Sequence, residues 1–104
     1  MDSRLLYSAA SHLDSIIKWD MDWIHFGTGE TIQFDLIIKI INEFLKDEDI
    51  NFVYKRENSG SYKRTEIIMQ IKSLLGHDNF QLWNMSMDKV IKFNKIGVLQ
   101  IGNK

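Results

Sequence analysis

TIQFDLIIKIINEFLK, running from Thr31 to Lys46, sets the terms for the rest of the chain. Phe34, Ile37, Ile38, Ile41, Phe44 and Leu45 recur at the i, i+3, i+4, i+7 spacing of one helix face. Leu36 and Ile40 widen that face, so that only Asp35, Lys39, Asn42, Glu43 and Lys46 remain polar. A helix lying on a protein surface shows a narrower stripe. This one predicts a helix touched by neighbours on most of its sides.

Working outward, Asp47-Glu48-Asp49 closes that helix, because carboxylates at a helix C-terminus oppose its dipole. Ile50 to Arg56 reads as a strand with Ile50, Phe52 and Tyr54 on one face, and Glu57 to Ser61 as a loop of turn formers. Tyr62 to Leu75 predicts a second helix, with Ile67, Ile68, Ile71, Leu74 and Leu75 in register and Gly76 supplying the left-handed residue after it. Phe80 to Asn84 predicts a short strand. Ser86 then reads as the N-cap of a helix from Met87 to Asn94, ended by Gly97 before a last strand from Val98 to Ile101. Upstream, Ser3 to Lys18 carries the stripe Leu6, Ala9, Ala10, Leu13, Ile16 and Ile17 and reads as a helix. Met21 to Phe26 reads as a strand, and Gly27-Thr28-Gly29 leads into the central helix with Thr28 or Thr31 as N-cap.

The expected architecture is a single small α/β (or α+β) domain over residues 1–104, about four strands alternating with four helices around a largely parallel or mixed sheet. The 104 residues are 44% hydrophobic with 12 aromatics, enough for a core unaided by metal or disulfide. The chain has no cysteine, which removes disulfides, thiolate metal sites and cysteine nucleophiles. LLYSAAS near the N-terminus is too short and polar for a signal segment, and no run approaches a membrane span, so a cytoplasmic location is expected. The 15 isoleucines, with many Lys and Asn, suggest AT-rich coding of the kind found in accessory bacterial genes.

Net charge is −1, but it is unevenly spread. Residues 1–50 hold 4 Lys/Arg against 10 Asp/Glu, and residues 51–104 hold 9 against 4. Either the halves pair with each other or the fold has an acidic and a basic face, which would steer charged partners.

In an α/β fold, ligands bind beyond the carboxyl ends of the strands. Those ends would offer Gly27-Thr28-Gly29, the segment from Arg56 to Arg64, and Asn84-Met85-Ser86. Thr28 in its glycine turn is a candidate anion site, and the Lys55 to Arg64 loop, through Lys55, Arg56, Lys63 and Arg64, is a candidate phosphate- or nucleic-acid-binding module. The turn lacks phosphate-loop spacing, and a plain strand-to-helix turn and a solvated loop are the simpler readings. His12, His25 and His77 have no ligand spacing, and Ser11, Ser59 and Ser86 lack a nucleophile elbow. His25 with Glu30 or Glu57 would be the acid/base pair of a small enzyme. Asp20 and Asp22 fall on one side of the first strand; an exposed edge is the simpler reading than a cation site. Trp19, Trp23 and Phe26 read as core rather than as a patch.

No motif assigns catalysis, a metal or a cofactor. The expectation is a non-catalytic protein-binding domain of the inhibitor or immunity type, neutralising a basic partner such as a bacterial toxin nuclease. Asp20, Asp22, Asp47, Glu48 and Asp49 would form its acidic binding face.

Overall fold

The computed structural model describes residues 2–104. In chain order the elements are α1 (Ser3–Asp14), β1 (Lys18–Trp19), β2 (Ile24–His25), a 3-10 turn (Gly29–Thr31), α2 (Phe34–Phe44), β3 (Asp49–Val53), β4 (Gly60–Lys63), α3 (Arg64–Ile71), β5 (Phe80–Trp83), β6 (Lys89–Asn94) and β7 (Val98–Asn103). The strands form one seven-stranded sheet in the order β1-β7-β6-β5-β3-β4, with β2 also paired to β7. Every pairing is antiparallel.

The expected parallel or mixed sheet with four alternating helices is therefore incorrect. The described residues form three α-helices on an antiparallel sheet. Two segments account for the difference. Gly60–Lys63, expected as loop and helix start, is a strand that turns back onto β3 with Ile50 opposite Tyr62. Lys89–Asn94, expected as helix, is the central strand β6. Both its faces are covered, with Val90 on one side and Ile91 and Phe93 on the other, so the two-residue alternation of a half-exposed strand is blurred. With both segments extended, β3–β4, β5–β6 and β6–β7 are joined by short turns, and a short turn between neighbours imposes the antiparallel direction.

The sheet is packed on both faces. α2 and α3 lay Ile37, Ile40, Ile41, Ile67 and Ile71 on Ile50, Phe52, Phe80, Leu82, Ile91, Phe93 and Leu99. On the opposite face, α1 sets Leu6 and Ala10 against Val53, Trp83 and Val90, with Ile17 and Met87 completing a smaller cluster. α1 begins with Asp2, whose carboxylate accepts from the Leu5 N–H at 2.9 Å and caps the first turn. It ends at Asp14, short of the Lys18 expected, because Lys18 and Trp19 join β7.

Asn51 is buried on the α1 face among apolar groups. Its amide nitrogen donates to the Asn84 carbonyl at 3.3 Å, and its oxygen accepts from the Ser61 hydroxyl. The bonds lace β3, β4 and the β5–β6 turn together. That turn, Asn84 to Asp88, is closed by the Asn84 side chain, whose oxygen accepts from the N–H groups of Asp88 and Lys89 at 3.0 Å each. Met87 completes it at φ +57, a left-handed conformation unusual for a long side chain, with that side chain buried in the α1-face cluster.

Ile41 and Ile38 on α2 are 1% and 36% exposed. Replacing Ile41 by Ala is expected to remove about 2–5 kcal/mol of stability, the usual cost of truncating a buried isoleucine. The same change at Ile38 is expected to cost clearly less. Urea melts of the two variants measure the difference directly.

Candidate functional site

The outer edge of β7 is covered by two strands of two residues each. Lys18 and Trp19 pair with Asn103 and Gly102, and Ile24 and His25 pair with Leu99 and Val98. Between these pairings β7 supplies only Gln100 and Ile101, whereas the chain opposite supplies Asp20 to Trp23. The surplus length must leave the sheet plane as a bulge. Asp20 is pinned at its root: its N–H donates to the Ile101 carbonyl at 2.8 Å, and its carbonyl accepts from the Gln100 amide at 2.8 Å. Close approach at Gly102 holds β1 against β7, since a Cβ there would lie 2.5 Å from Ile17 Cγ2 and 2.7 Å from the Trp19 ring.

Beyond that root the segment faces water. Met21 is 95% exposed and Trp23 46%, and both Asp20 and Asp22 are exposed. The result is two carboxylates interleaved with two large apolar side chains, standing on a fixed sheet edge. Of the expected aromatic core group, Phe26 is fully buried and Trp19 is half-buried under Lys92, whose Nζ stands 5.3 Å over its ring. Trp23 belongs to the exposed bulge instead.

Asp47, Glu48 and Asp49 lie elsewhere. They join α2 to β3, four strand positions from β1 in the sheet order. At the usual strand spacing that is about 19 Å, roughly twice the distance over which exposed charges act in physiological salt. The five carboxylates expected on one face thus fall into two groups. In the second group Asp47 Oδ2 accepts from the Met85 N–H at 2.9 Å, which sets the 47%-exposed Met85 beside the acids. Asp49 stands in register with Lys63 across the β3–β4 pair.

The basic candidates also separate. Arg64 is spent inside the fold: its guanidinium donates to the Asn42 side chain at 2.9 Å, to the Asp47 carbonyl at 2.6 Å and to the Leu45 carbonyl. It satisfies carbonyls that the C-terminus of α2 leaves without intrahelical partners. Arg56 lies in the β3–β4 loop, where its carbonyl accepts from the Ser3 hydroxyl at 2.7 Å. Lys63 is exposed at the far end of the β4 edge strand. Lys55 sits 5.1 Å over the Tyr54 ring. Among the described residues the one ion pair is Arg4–Glu57 at 2.9 Å, with both partners exposed.

Thr28 is engaged structurally. The N–H of Gly27 donates to the Gly97 carbonyl at 3.1 Å, and that of Thr28 donates to Thr31 Oγ1 at 3.1 Å. A Cβ at Gly97 would lie 2.8 Å from the Gly27 carbonyl oxygen. These two N–H groups are therefore taken up by the turn itself. His25 is exposed on β2, while Glu57 is at the opposite side of the sheet with Arg4, so the His25–Glu57 pair is not assembled. The Ser59 hydroxyl accepts from the Tyr54 N–H and donates to the Lys55 carbonyl, tying the β3–β4 loop. Among the described residues no three His, Asp or Glu side chains converge to hold a metal. No helix of the described residues is long and apolar enough to cross a membrane.

A cleft of about 340 Å³ opens between α1 and the uncovered part of the sheet. No local pattern in the sequence signals it, because its walls are assembled from four separate elements. At its end Tyr54 donates a 2.5 Å hydrogen bond to Asp78, and that bond, with some desolvation, raises the phenol above its ordinary value near 10.

Compared with protein-family models, curated proteins and solved structures, the chain matches none.

Two outcomes are expected. Arg64→Ala should lower stability by about 1.5–3 kcal/mol, the range for hydrogen bonds to a charged group. Arg64→Lys should restore little, since an ammonium lacks the planar fork; thermal and urea melts report both. The Tyr54 phenol is protonated in the fold past the pH at which an unfolded tyrosine ionises. Its contribution is complete below about pH 10 and is lost as pH rises through the higher folded value. Alkaline titration at the tyrosinate absorbance band should show one late-titrating tyrosine that vanishes in Tyr54→Phe.

Proposed function

We propose that the chain is a small, non-catalytic protein-binding domain of the inhibitor or immunity type, acting in the cytoplasm on a basic partner such as a bacterial toxin nuclease. The observation that carries this reading is the Asp20–Trp23 bulge. Trp and Met are enriched at the centres of protein interfaces, where a few large side chains supply most of the binding energy. Here Met21 and Trp23 stand exposed on a pinned sheet edge, with Asp20 and Asp22 between and beside them. Carboxylates in that position favour a cationic partner surface and accelerate its approach. Asp47, Glu48 and Asp49, with Met85, form a second acidic surface at a distance that a large partner would span.

The partner is sought with the full chain as bait in lysate of its own host, and the captured protein is then studied alone. Surface plasmon resonance at two ionic strengths gives both rate constants. Asp20→Lys with Asp22→Lys should slow association by roughly tenfold at low salt and less at high salt. Trp23→Ala should mainly speed dissociation. Stability should move by no more than about 1 kcal/mol for the charge reversals. If the captured partner binds the reversed and native chains at the same two rates, the bulge is not the binding element.

A further inference from the structure

Two side-chain amides in the cleft between α1 and the sheet have their oxygens engaged and their nitrogens free. The Trp83 indole N–H donates to Gln81 Oε1 at 2.9 Å, and the Lys95 backbone N–H donates to Asn79 Oδ1 at 2.8 Å. Both of those N–H groups can only donate, so each must meet the amide oxygen and leaves the NH2 group as the unengaged end. Among the described residues Gln81 Nε2 and Asn79 Nδ2 find no acceptor. The one buried side-chain polar atom there without a partner is Asp14 Oδ1, so both NH2 groups are open to an incoming group. Asn79 and Gln81 line the cleft together with Tyr7, Ala10 and Val53, which give it an apolar wall. Its formal charges cancel, because Asp14 and Lys92 supply one of each sign. Lys92 stands opposite Gln81 on β6 and holds its ammonium over the Trp19 ring. At about 340 Å³ the cleft is at the lower end of the usual range of about 300–1,000 Å³ for ligand pockets, which suits a compound of a single ring.

We propose that this cleft binds a small, neutral aromatic carbonyl compound, whose carbonyl oxygen accepts from the free NH2 groups of Gln81 and Asn79 while its ring lies along Tyr7, Ala10 and Val53. A carbonyl oxygen has two lone pairs, one for each amide, and brings no donor to oppose them. A charged ligand would lose its hydration with no net charge in the lining to repay it. The site is separate from the Asp20–Trp23 bulge, and the proposal stands independently of the protein-binding reading.

The test uses the isotope-labelled full chain and acetophenone as the probe. Anisole, a ring of similar size whose ether oxygen is a poor acceptor, tests the carbonyl, and benzoate and benzylammonium test neutrality. Two-dimensional amide NMR should show saturable shifts at Tyr7, Val53, Gln81 and Lys92 with acetophenone. Binding of each of the other three compounds should be roughly threefold to tenfold weaker, the worth of about one hydrogen bond. Gln81→Glu and Asn79→Asp keep an oxygen for the Trp83 and Lys95 N–H groups and remove only the NH2 donor. Each should weaken acetophenone by a similar factor while leaving anisole binding unchanged, which separates lost recognition from a collapsed cleft. Asn79 is exposed, so Asn79→Asp carries the test if Gln81→Glu does not fold. Equal binding of anisole, tighter binding of either charged compound, unchanged acetophenone binding in the folded variants, or no saturable shift in the cleft would each overturn the proposal.

Discussion

A row of phenylalanine rings running across the sheet holds the larger core in register. Phe80 and Phe93 are direct partners on β5 and β6, with ring centroids 4.6 Å apart and planes only 10° from parallel. Phe52 on β3 extends the row at 5.9 Å from Phe80, and Phe26, just beyond β2, extends it at 5.7 Å from Phe93. A slip of one residue on any of these strands would turn its ring to the α1 face, away from the isoleucines of α2 and α3 that cover the row. The rings also dictate what must cover them. α2 and α3 meet the row with isoleucines at helical spacing, and this is why α2 buries so wide an arc of its circumference.

That wide arc was legible in the sequence. The 3.6-residue period from Phe34 to Leu45 gave α2 to within a few residues, and Ile67, Ile71 and Leu75 gave the buried side of α3. Strand direction was not legible, for reasons that reside in particular segments. Gly60–Lys63 has only Tyr62 to mark its inner face, and it enters α3 with no intervening loop. Ser86 before Met87 resembles a helix cap, yet the Asn84 side chain closes the turn there and Met87 takes a left-handed conformation that no local residue signals. Reading β4 as loop and β6 as helix creates a false alternation of helix and strand. The parallel sheet follows from that alternation.

The surface was legible residue by residue and illegible as an arrangement. Exposure of the aspartates follows from their chemistry, but which of them are neighbours depends on strand order. The sheet puts three strands between β1 and β3 and so divides them. Arg64 shows the same limit from the other side. In sequence it closes a basic loop and resembles a phosphate ligand. In the fold it lies against the carbonyl end of α2, a helix whose C-cap is Leu45 rather than glycine and whose following residues are acidic. The last carbonyls of such a helix need donors from elsewhere. A guanidinium at the start of α3 supplies them, and in doing so ties α2 to the β4–α3 junction.

The sheet edges explain why Met21 and Trp23 stand exposed where they do. An open edge strand offers unpaired backbone groups to any other chain and has to be protected. On one side β4 is short and carries the exposed Lys63. On the other, β7 is six residues long, and β1 and β2 together cover only its two ends. The middle is closed by the two hydrogen bonds at Asp20, and the surplus residues are driven outward. Protection of the edge and display of Met21, Asp22 and Trp23 are thus consequences of one length mismatch between β7 and the chain that covers it. The backbone at Asp20 is fixed by the sheet, whereas the side chains after it make no contribution to either core cluster. Their substitution can therefore alter what the edge binds while leaving the phenylalanine row and its covering helices intact.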